Sequence, residues 1–171
     1  MNAAWRNMCY RGTLLAGLAA CGMLSGCGLL VEGLSAGTYA GELACRASVA
    51  APDGMEGTED YTMAVTLVVD ADGGLTVNDE PIVVSEMVTR ALPNADLSFE
   101  VVTVSQEVGQ VDVTYAPRPT LPGIEVTGDL VENYEQNGHA VQVTGRAELV
   151  LTDVSGDSMI DVDCSGTLPR Q

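Results

Sequence analysis

YTMAVTLVVD, residues 61–70, shows the alternation that decides the fold of this chain. Its odd-numbered positions are all apolar: Tyr61, Met63, Val65, Leu67 and Val69. Thr62, Thr66 and Asp70 share the opposite face. Successive side chains of a β-strand point to opposite faces, so the stretch predicts a strand with one face in a core and the other in solvent.

The same period-two pattern recurs throughout the chain after residue 37. Five further runs carry apolar residues on one strand face: Leu97, Phe99 and Val101; Val111, Val113 and Tyr115; Ile124 and Val126; Val141, Val143, Leu149 and Leu151; and Ile160, Val162 and Cys164. Turn-forming residues interrupt the pattern about every 16–20 positions. We predict an all-β fold in which antiparallel strands follow one another as an up-and-down meander.

The turns are marked by glycine, asparagine and proline. Asn137-Gly138 is the strongest signal, because both residues tolerate the positive φ of a two-residue type I′ hairpin. Further connections are predicted at Asp72-Gly73-Gly74, Gly109, Pro93-Asn94, the prolines of residues 117–122 and Ser155-Gly156-Asp157. Residues 85–92 leave two possibilities open, a short helix capped by Ser85 or a strand that continues residues 82–84.

The start of the chain has the organisation of an export signal. Arg6 and Arg11 precede the apolar residues 12–24, a stretch too short to span a bilayer as a helix. The stretch ends in Leu24-Ser25-Gly26-Cys27, which resembles the signal peptides of bacterial lipoproteins. In that family a leucine stands three residues before a cysteine, with small residues between them.

The resemblance implies that residues 1–26 are removed and that the Cys27 sulfur carries a diacylglycerol. Several acyl chains hold a protein on a membrane where one does not. We therefore expect a lipid-anchored protein on the extracytoplasmic side of the cell envelope, with residues 27–36 as a tether and residues 37–171 as a single domain. Cys21 fits the same pattern and stays an alternative site. The residue after Cys27 is Gly28 and not an aspartate, a feature similar to that of lipoproteins sorted to the outer membrane of diderm bacteria.

Cysteine usage suggests how the sheet closes. With Cys9 and Cys21 in the leader and Cys27 lipidated, Cys45 and Cys164 remain as a pair in an oxidising compartment, where we expect a disulfide. The bridge would join the first and last predicted strands, as happens when a sheet closes on itself. We therefore predict a small barrel, with a two-sheet β-sandwich as the alternative.

Charge excludes one class of partner. Loss of residues 1–26 removes two arginines but no acid, which leaves five basic residues against 24 acidic ones, a formal net charge of −19. Nucleic-acid phosphates are bound through clustered lysine and arginine, so DNA and RNA are excluded as partners. Anionic lipid head groups are repelled too, and the acyl chains must supply the membrane contact.

No catalytic constellation is visible in the sequence. His139 is the single histidine, and its position beside the Asn137-Gly138 turn predicts a solvated residue rather than a general base. Two lone cysteines do not form a zinc pattern, and a single histidine offers hardly any base for the dyads and triads of hydrolases. We expect no enzyme activity, no cofactor and no metal ion. The Asp70–Gly73 stretch is similar to a calcium loop, but Pro81 stands where an EF-hand needs its glutamate.

Three functions are compatible with these observations. The first is a non-catalytic envelope lipoprotein with a structural or protein-interaction role. The second is a carrier of a small apolar ligand, for which Gly37-Thr38-Tyr39 resembles the Gly-x-Trp opening of lipocalin-like barrels, with Tyr39 in place of the tryptophan. The third is a calcium-stabilised surface domain, for which the acidic groups around residues 53–60 and 153–163 are the candidates.

Overall fold

A computed structural model describes residues 33–92, 95–118 and 123–171 of the chain. This part of the chain forms ten β-strands: β1 Gly37–Ala50, β2 Glu56–Val69, β3 Leu75–Val77, β4 Glu80–Pro81, β5 Met87–Leu92, β6 Ala95–Glu107, β7 Gln110–Arg118, β8 Glu125–Asn137, β9 Ala140–Asp153 and β10 Gly156–Pro169. The predicted all-β class is therefore confirmed. No described helix has the length and apolar character needed to cross a membrane.

The strands form one antiparallel sheet rather than the two sheets of a sandwich. Its order is β4-β3-β2-β1-β10-β9-β8-β7-β6-β5, so every strand pairs with its neighbours in sequence except β4 and β5, and β1 also pairs with β10. The sheet curls until its two edge strands, β4 and β5, approach each other. The predicted up-and-down meander that closes into a small barrel is confirmed, with a seam between β4 and β5.

A disulfide fixes the pairing of the first and last strands. Cys45 and Cys164 are direct partners in the β1–β10 ladder, and their Cα atoms lie 4.1 Å apart. The bridge closes a separation of 119 residues. The predicted pairing of these cysteines and the predicted neighbourhood of the terminal strands are both present.

The inward faces of the strands form a continuous core. The alternation seen in residues 61–70 is followed by burial, since Val65, Leu67 and Val69 are buried while the residues between them are exposed. The largest fully buried side chains are aromatic: Tyr39, Phe99, Tyr115 and Tyr134. Residues 33–36 also contact the barrel, because Leu34 is buried and Gly33 forms a bridge with Val108 in the β6–β7 turn.

Two turn predictions need correction or completion. The hairpin between β8 and β9 exists, but its central residues are Gly138 and His139, and only Gly138 has a positive φ, of 61°. The predicted type I′ turn at Asn137-Gly138 is therefore wrong, because the pattern is that of a type II′ turn with glycine first. The open question over residues 85–92 is settled as well, since Met87–Leu92 forms strand β5.

Candidate ligand-binding cavity

The seam leaves a gap in the barrel wall. Strand β3 pairs only with residues 67–69 at the end of β2, so within the described residues the earlier part of β2 has no strand on that side. The β3–β4 hairpin turns back at Asn78 and Asp79, which have φ values of 49° and 67°. Asn78 then closes off the gap at one end, because its backbone N–H donates to the Thr66 carbonyl over 2.9 Å.

The carboxylate of Glu80 bridges the seam between β4 and β5. The Glu80 oxygens on β4 accept the backbone N–H of Thr89 on β5 at 3.0 and 3.1 Å. Glu80 also accepts a hydrogen bond from Nη1 of Arg90 at 3.2 Å. The Glu80 side chain thus supplies a hydrogen bond between β4 and β5 at a place where a closed sheet would have a backbone hydrogen bond.

Behind the gap lies a cavity of about 410 Å³ inside the barrel. Most of its wall is apolar and includes Leu43, Met63, Val65, Val77, Phe99, Leu130, Val143 and Val162. Its polar wall is formed by Tyr61, Asn78, Glu80, Thr89, Arg90, Glu132 and Tyr134. A volume of this size and an apolar wall with a few convergent polar groups are typical of small-molecule sites, whose volumes run from about 300 to 1,000 Å³.

Small residues on β9 explain why the interior is not filled. Gly145 and Ala147 occupy successive inward positions of this strand, between the larger Val143 and Leu149. A Cβ at Gly145 would meet the Cβ of Cys164 at 3.8 Å and the Cγ of Glu132 at 3.9 Å, which is ordinary contact. The space beside β9 is therefore set by side-chain size and not by backbone strain.

An ion pair lies at the polar wall of the cavity. Arg90 Nε donates to Glu132 Oε1 over 2.8 Å, and Arg90 Nη2 donates to Oε2 over 3.3 Å. The two side chains are only 10% and 12% exposed. A bidentate arginine–carboxylate pair of this kind joins two elements that are distant in sequence, β5 and β8, at one place in the barrel.

Two tyrosines complete the surroundings of Glu132. The Tyr134 hydroxyl donates to Glu132 Oε2 over 2.6 Å, and the Tyr115 hydroxyl donates to the same oxygen. Arg90 Nη2 donates to the Tyr115 hydroxyl at 3.0 Å, and the guanidinium carbon lies 5.1 Å from the centre of that ring. No buried side-chain nitrogen or oxygen in the described residues lacks a hydrogen-bond partner.

The electrostatics of this cluster keep the arginine charged and the tyrosines neutral. Burial alone would lower the pKa of Arg90, but the Glu132 carboxylate offsets that effect and the pKa is raised. Burial raises the pKa of Tyr115 and of Tyr134 above the ordinary value of 10, and the negative charge of Glu132 raises both further. Both hydroxyls therefore stay protonated at neutral pH and act as hydrogen-bond donors.

The site residues predicted from the sequence are placed as follows. Leu24, Ser25, Gly26 and Cys27 lie outside the described residues, as does Cys21. Cys164 lines the cavity and is bonded to Cys45 on the neighbouring strand. His139 is exposed in the β8–β9 turn, away from the cavity, as its position predicted.

Among the acidic residues considered for calcium, Asp70 is occupied by local hydrogen bonds. Asp70 Oδ1 accepts the backbone N–H groups of Asp72 and Gly74 at 2.8 and 2.7 Å and so orders the β2–β3 turn. Asp161 and Asp163 are exposed on the outer face of β10. Within residues 33–92, 95–118 and 123–171, no three His, Cys, Asp or Glu side chains are grouped to hold a metal ion.

Sequence reasoning missed Arg90 and Glu132. A signal was available, because Val88 and Arg90 share one face of β5, while Leu130, Glu132 and Tyr134 share one face of β8. Two opposite charges at inward positions of apolar runs point to a buried pair.

Comparison of the chain with protein families, with curated proteins and with solved structures found no match in any of the three.

Proposed function

We propose that this chain is a lipid-anchored envelope protein whose barrel binds a small, mainly apolar ligand. The cavity of about 410 Å³ is the observation that carries the proposal. A barrel of about eight strands can be filled by its own side chains or can hold one small ligand. Eight of the ten strands here are long enough to form the wall, since only β3 and β4 have three residues or fewer. Here the space next to Gly145 and Ala147 is not filled by side chains, and the gap beside β2 connects the interior to the outside.

The cavity changes the order of the functions inferred from the sequence. From the sequence alone, a structural or protein-interaction role came first because of the anchor signal, the single domain and the lack of a catalytic constellation. An apolar cavity with polar groups on one wall favours ligand carriage over that role. The calcium-stabilised alternative gains no support, since no three His, Cys, Asp or Glu side chains of the described residues are grouped to hold a metal ion.

The anchor is proposed from the sequence alone. Leu24-Ser25-Gly26-Cys27 supports lipidation at Cys27, and the charge of −19 expected for the mature chain supports anchoring by acyl chains rather than by a basic surface. The disulfide supports an oxidising compartment, since such bonds are rare in the cytosol.

Occupancy of the cavity can be tested with a neutral apolar dye. Trp5, the one tryptophan of the sequence, lies in the leader that processing before Cys27 removes, so Tyr61→Trp alone gives the mature protein a single indole, on the cavity wall. With the mature lipid-anchored protein in lipid nanodiscs, we expect energy transfer from this indole to N-phenyl-1-naphthylamine at low dye concentration. Absence of saturable transfer would contradict ligand binding.

Matched substitutions separate the cavity from the surface. Ala147→Phe places a large ring in the cavity and should weaken dye binding by at least roughly tenfold. Thr144→Phe adds the same ring to the outer face of β9, where residue 144 is exposed, and should leave binding unchanged. Val162→Phe is a second filling variant in case Ala147→Phe unfolds. Equal dye binding by all three variants would place the dye outside the barrel.

The anchor has its own test. Cys27→Ser should abolish incorporation of labelled fatty acid and release the protein from membranes. Cys21→Ser is the matched control and should keep both properties. Labelling that survives Cys27→Ser but is lost with Cys21→Ser would move the anchor to the alternative site.

A further inference from the structure

The polar wall of the cavity restricts which head group a ligand can have, an inference that rests on the proposed ligand-binding function. Arg90, Tyr115 and Tyr134 together form an array of donors that suits a carboxylate. In this barrel the array already holds one, because Glu132 accepts from all three side chains. The position that would bind the head group of a fatty acid is occupied by the protein itself.

The donors of the array have no capacity left. Arg90 has five N–H groups and makes five hydrogen bonds, to Glu132 twice and to Tyr115, Glu80 and the Thr89 carbonyl. Both tyrosine hydroxyl protons go to Glu132. The donors that remain on the wall are the hydroxyls of Tyr61 and Thr89 and one N–H of the Asn78 amide, which are neutral and cannot compensate a buried negative charge.

The acceptors, in contrast, are not exhausted. Among the described residues, the Glu80 carboxylate accepts only from the Thr89 amide and from Arg90, although a carboxylate has about four acceptor sites. Its side chain is 35% exposed, so a ligand that enters through the seam can reach it. The Tyr134 hydroxyl oxygen also keeps an acceptor site on the cavity wall.

The charges around the cavity have a negative sum. Glu80 and Glu132 carry two negative charges against the one positive charge of Arg90. The other described arginines do not line the cavity, and Arg46, Arg118 and Arg146 are more than half exposed. A second negative charge in the ligand would therefore meet like charge in a partly dehydrated space, whereas a positive charge would be compensated.

We propose that the cavity binds an apolar molecule with a cationic, hydrogen-bond-donating head group, that Glu80 accepts this head group at the seam, and that carboxylates are rejected. The apolar wall holds the hydrocarbon part of such a molecule. The selection is made by Glu132, which keeps Arg90 from pairing with an anionic ligand.

Three ligands that share an octyl chain test the assignment: octylamine, octanol and octanoate. Each is titrated at neutral pH against the dye-loaded mature protein with the Tyr61→Trp substitution in phosphatidylcholine nanodiscs. Loss of energy transfer reports displacement from the cavity. We expect octylamine to displace the dye at a concentration roughly tenfold or more below that of octanoate, with octanol between them.

Three charge-neutralising variants identify the groups responsible. Glu80→Gln should weaken octylamine about fivefold and leave octanol unchanged, because fivefold is near the upper end of what an ion pair with a partly exposed carboxylate contributes. Glu132→Gln frees the Arg90 charge and should strengthen octanoate at least about tenfold. Glu135→Gln is the control, since it lies on the outer face of β8 with the same charge change and should alter no displacement curve.

The outcomes distinguish this inference from the proposed function. Octanoate as the tightest ligand, or three equal affinities, would overturn the head-group assignment while dye binding still supports an apolar carrier. Equal loss of octylamine binding in Glu80→Gln and Glu135→Gln would also overturn it, because the amine would then respond to overall charge. If the dye itself does not enter, the proposed function fails first. Should Glu132→Gln not fold, Glu80→Gln and the ranking of the three ligands decide.

Discussion

The Glu80 carboxylate accepts the backbone N–H of Thr89 at 3.0 Å, so a side chain joins the two strands at which the barrel is otherwise open. Everywhere else along the sheet, neighbouring strands are joined by backbone ladders. At the seam this role falls to side chains: Glu80 here, and Gln106 on β6, whose Nε2 donates to the Gly73 carbonyl of the β2–β3 turn over 3.1 Å.

Loss of this carboxylate should loosen the seam locally. In Glu80→Ala the Thr89 amide loses its acceptor, so we expect its hydrogen exchange to speed up, with a loss of about 1 kcal/mol in the free energy of unfolding. Hydrogen exchange resolved by residue is the measurement. Glu86→Ala removes an exposed carboxylate from the adjacent loop and should leave Thr89 protected. Equal protection of Thr89 in both variants would show that the bond contributes nothing.

The buried ion pair should cost more to break than to replace. Glu132→Leu leaves the Arg90 charge and two tyrosine hydroxyls without their partner, and we expect the free energy of unfolding to fall by about 3–5 kcal/mol. Arg90→Met combined with Glu132→Leu removes both charges and should recover much of that loss. Chemical denaturation of the three proteins gives the coupling energy. A double variant that is less stable than Glu132→Leu would contradict the compensation argued for this pair.

Alkaline pH should destabilise the fold through two tyrosines. The pKa of Tyr115 and of Tyr134 is raised in the folded chain, so above pH 10 the unfolded chain loses protons that the folded chain keeps. Stability is then fully present below pH 10 and falls as the pH rises, by about 1.4 kcal/mol per pH unit for each tyrosine. Denaturant unfolding at several pH values measures the slope, which should be smaller in Tyr134→Phe. Tyrosinate absorbance from all the tyrosines of the still-folded chain at pH 11 would argue against it.

The disulfide should contribute strongly to stability because it closes a long loop. For a separation of 119 residues, the chain-entropy model gives nearly 5 kcal/mol, and measured effects are commonly about 2–4 kcal/mol. We expect Cys45→Ala combined with Cys164→Ala to lower the midpoint of denaturant unfolding accordingly. Reduction of the wild-type protein should reproduce the shift and should not affect the double variant.

Much of the fold could be predicted because each long strand carries its own alternation. Tyr61, Leu67 and Phe99 alternate with polar residues, and burial on one face is all that such a strand requires. The disulfide was also accessible, since Cys45 and Cys164 were the pair left in the first and last strands. What the pattern could not give was the location of the seam, because β3 and β4 are only three and two residues long.

The site could not be predicted to the same extent. A cavity depends on the summed volume of side chains from many strands. The small residues Gly145 and Ala147 therefore do not predict a cavity unless the side chains around them are known. Arg90 and Glu132 are 42 residues apart in sequence. Their pairing follows from the relative placement of β5 and β8 around the barrel, which alternation within either strand does not determine.

The bridge between Gly33 and Val108 bears on how the barrel would be loaded. An anchor at Cys27 would leave residues 28–32 between the bilayer and Gly33, a span of roughly 18 Å at most. The β2–β3, β6–β7 and β8–β9 turns lie at this end of the meander and would then face the head groups. The gap beside the earlier part of β2 would open toward the opposite end. A ligand would then enter from the aqueous phase or from a donor protein, rather than by lateral diffusion out of the membrane leaflet that holds the anchor.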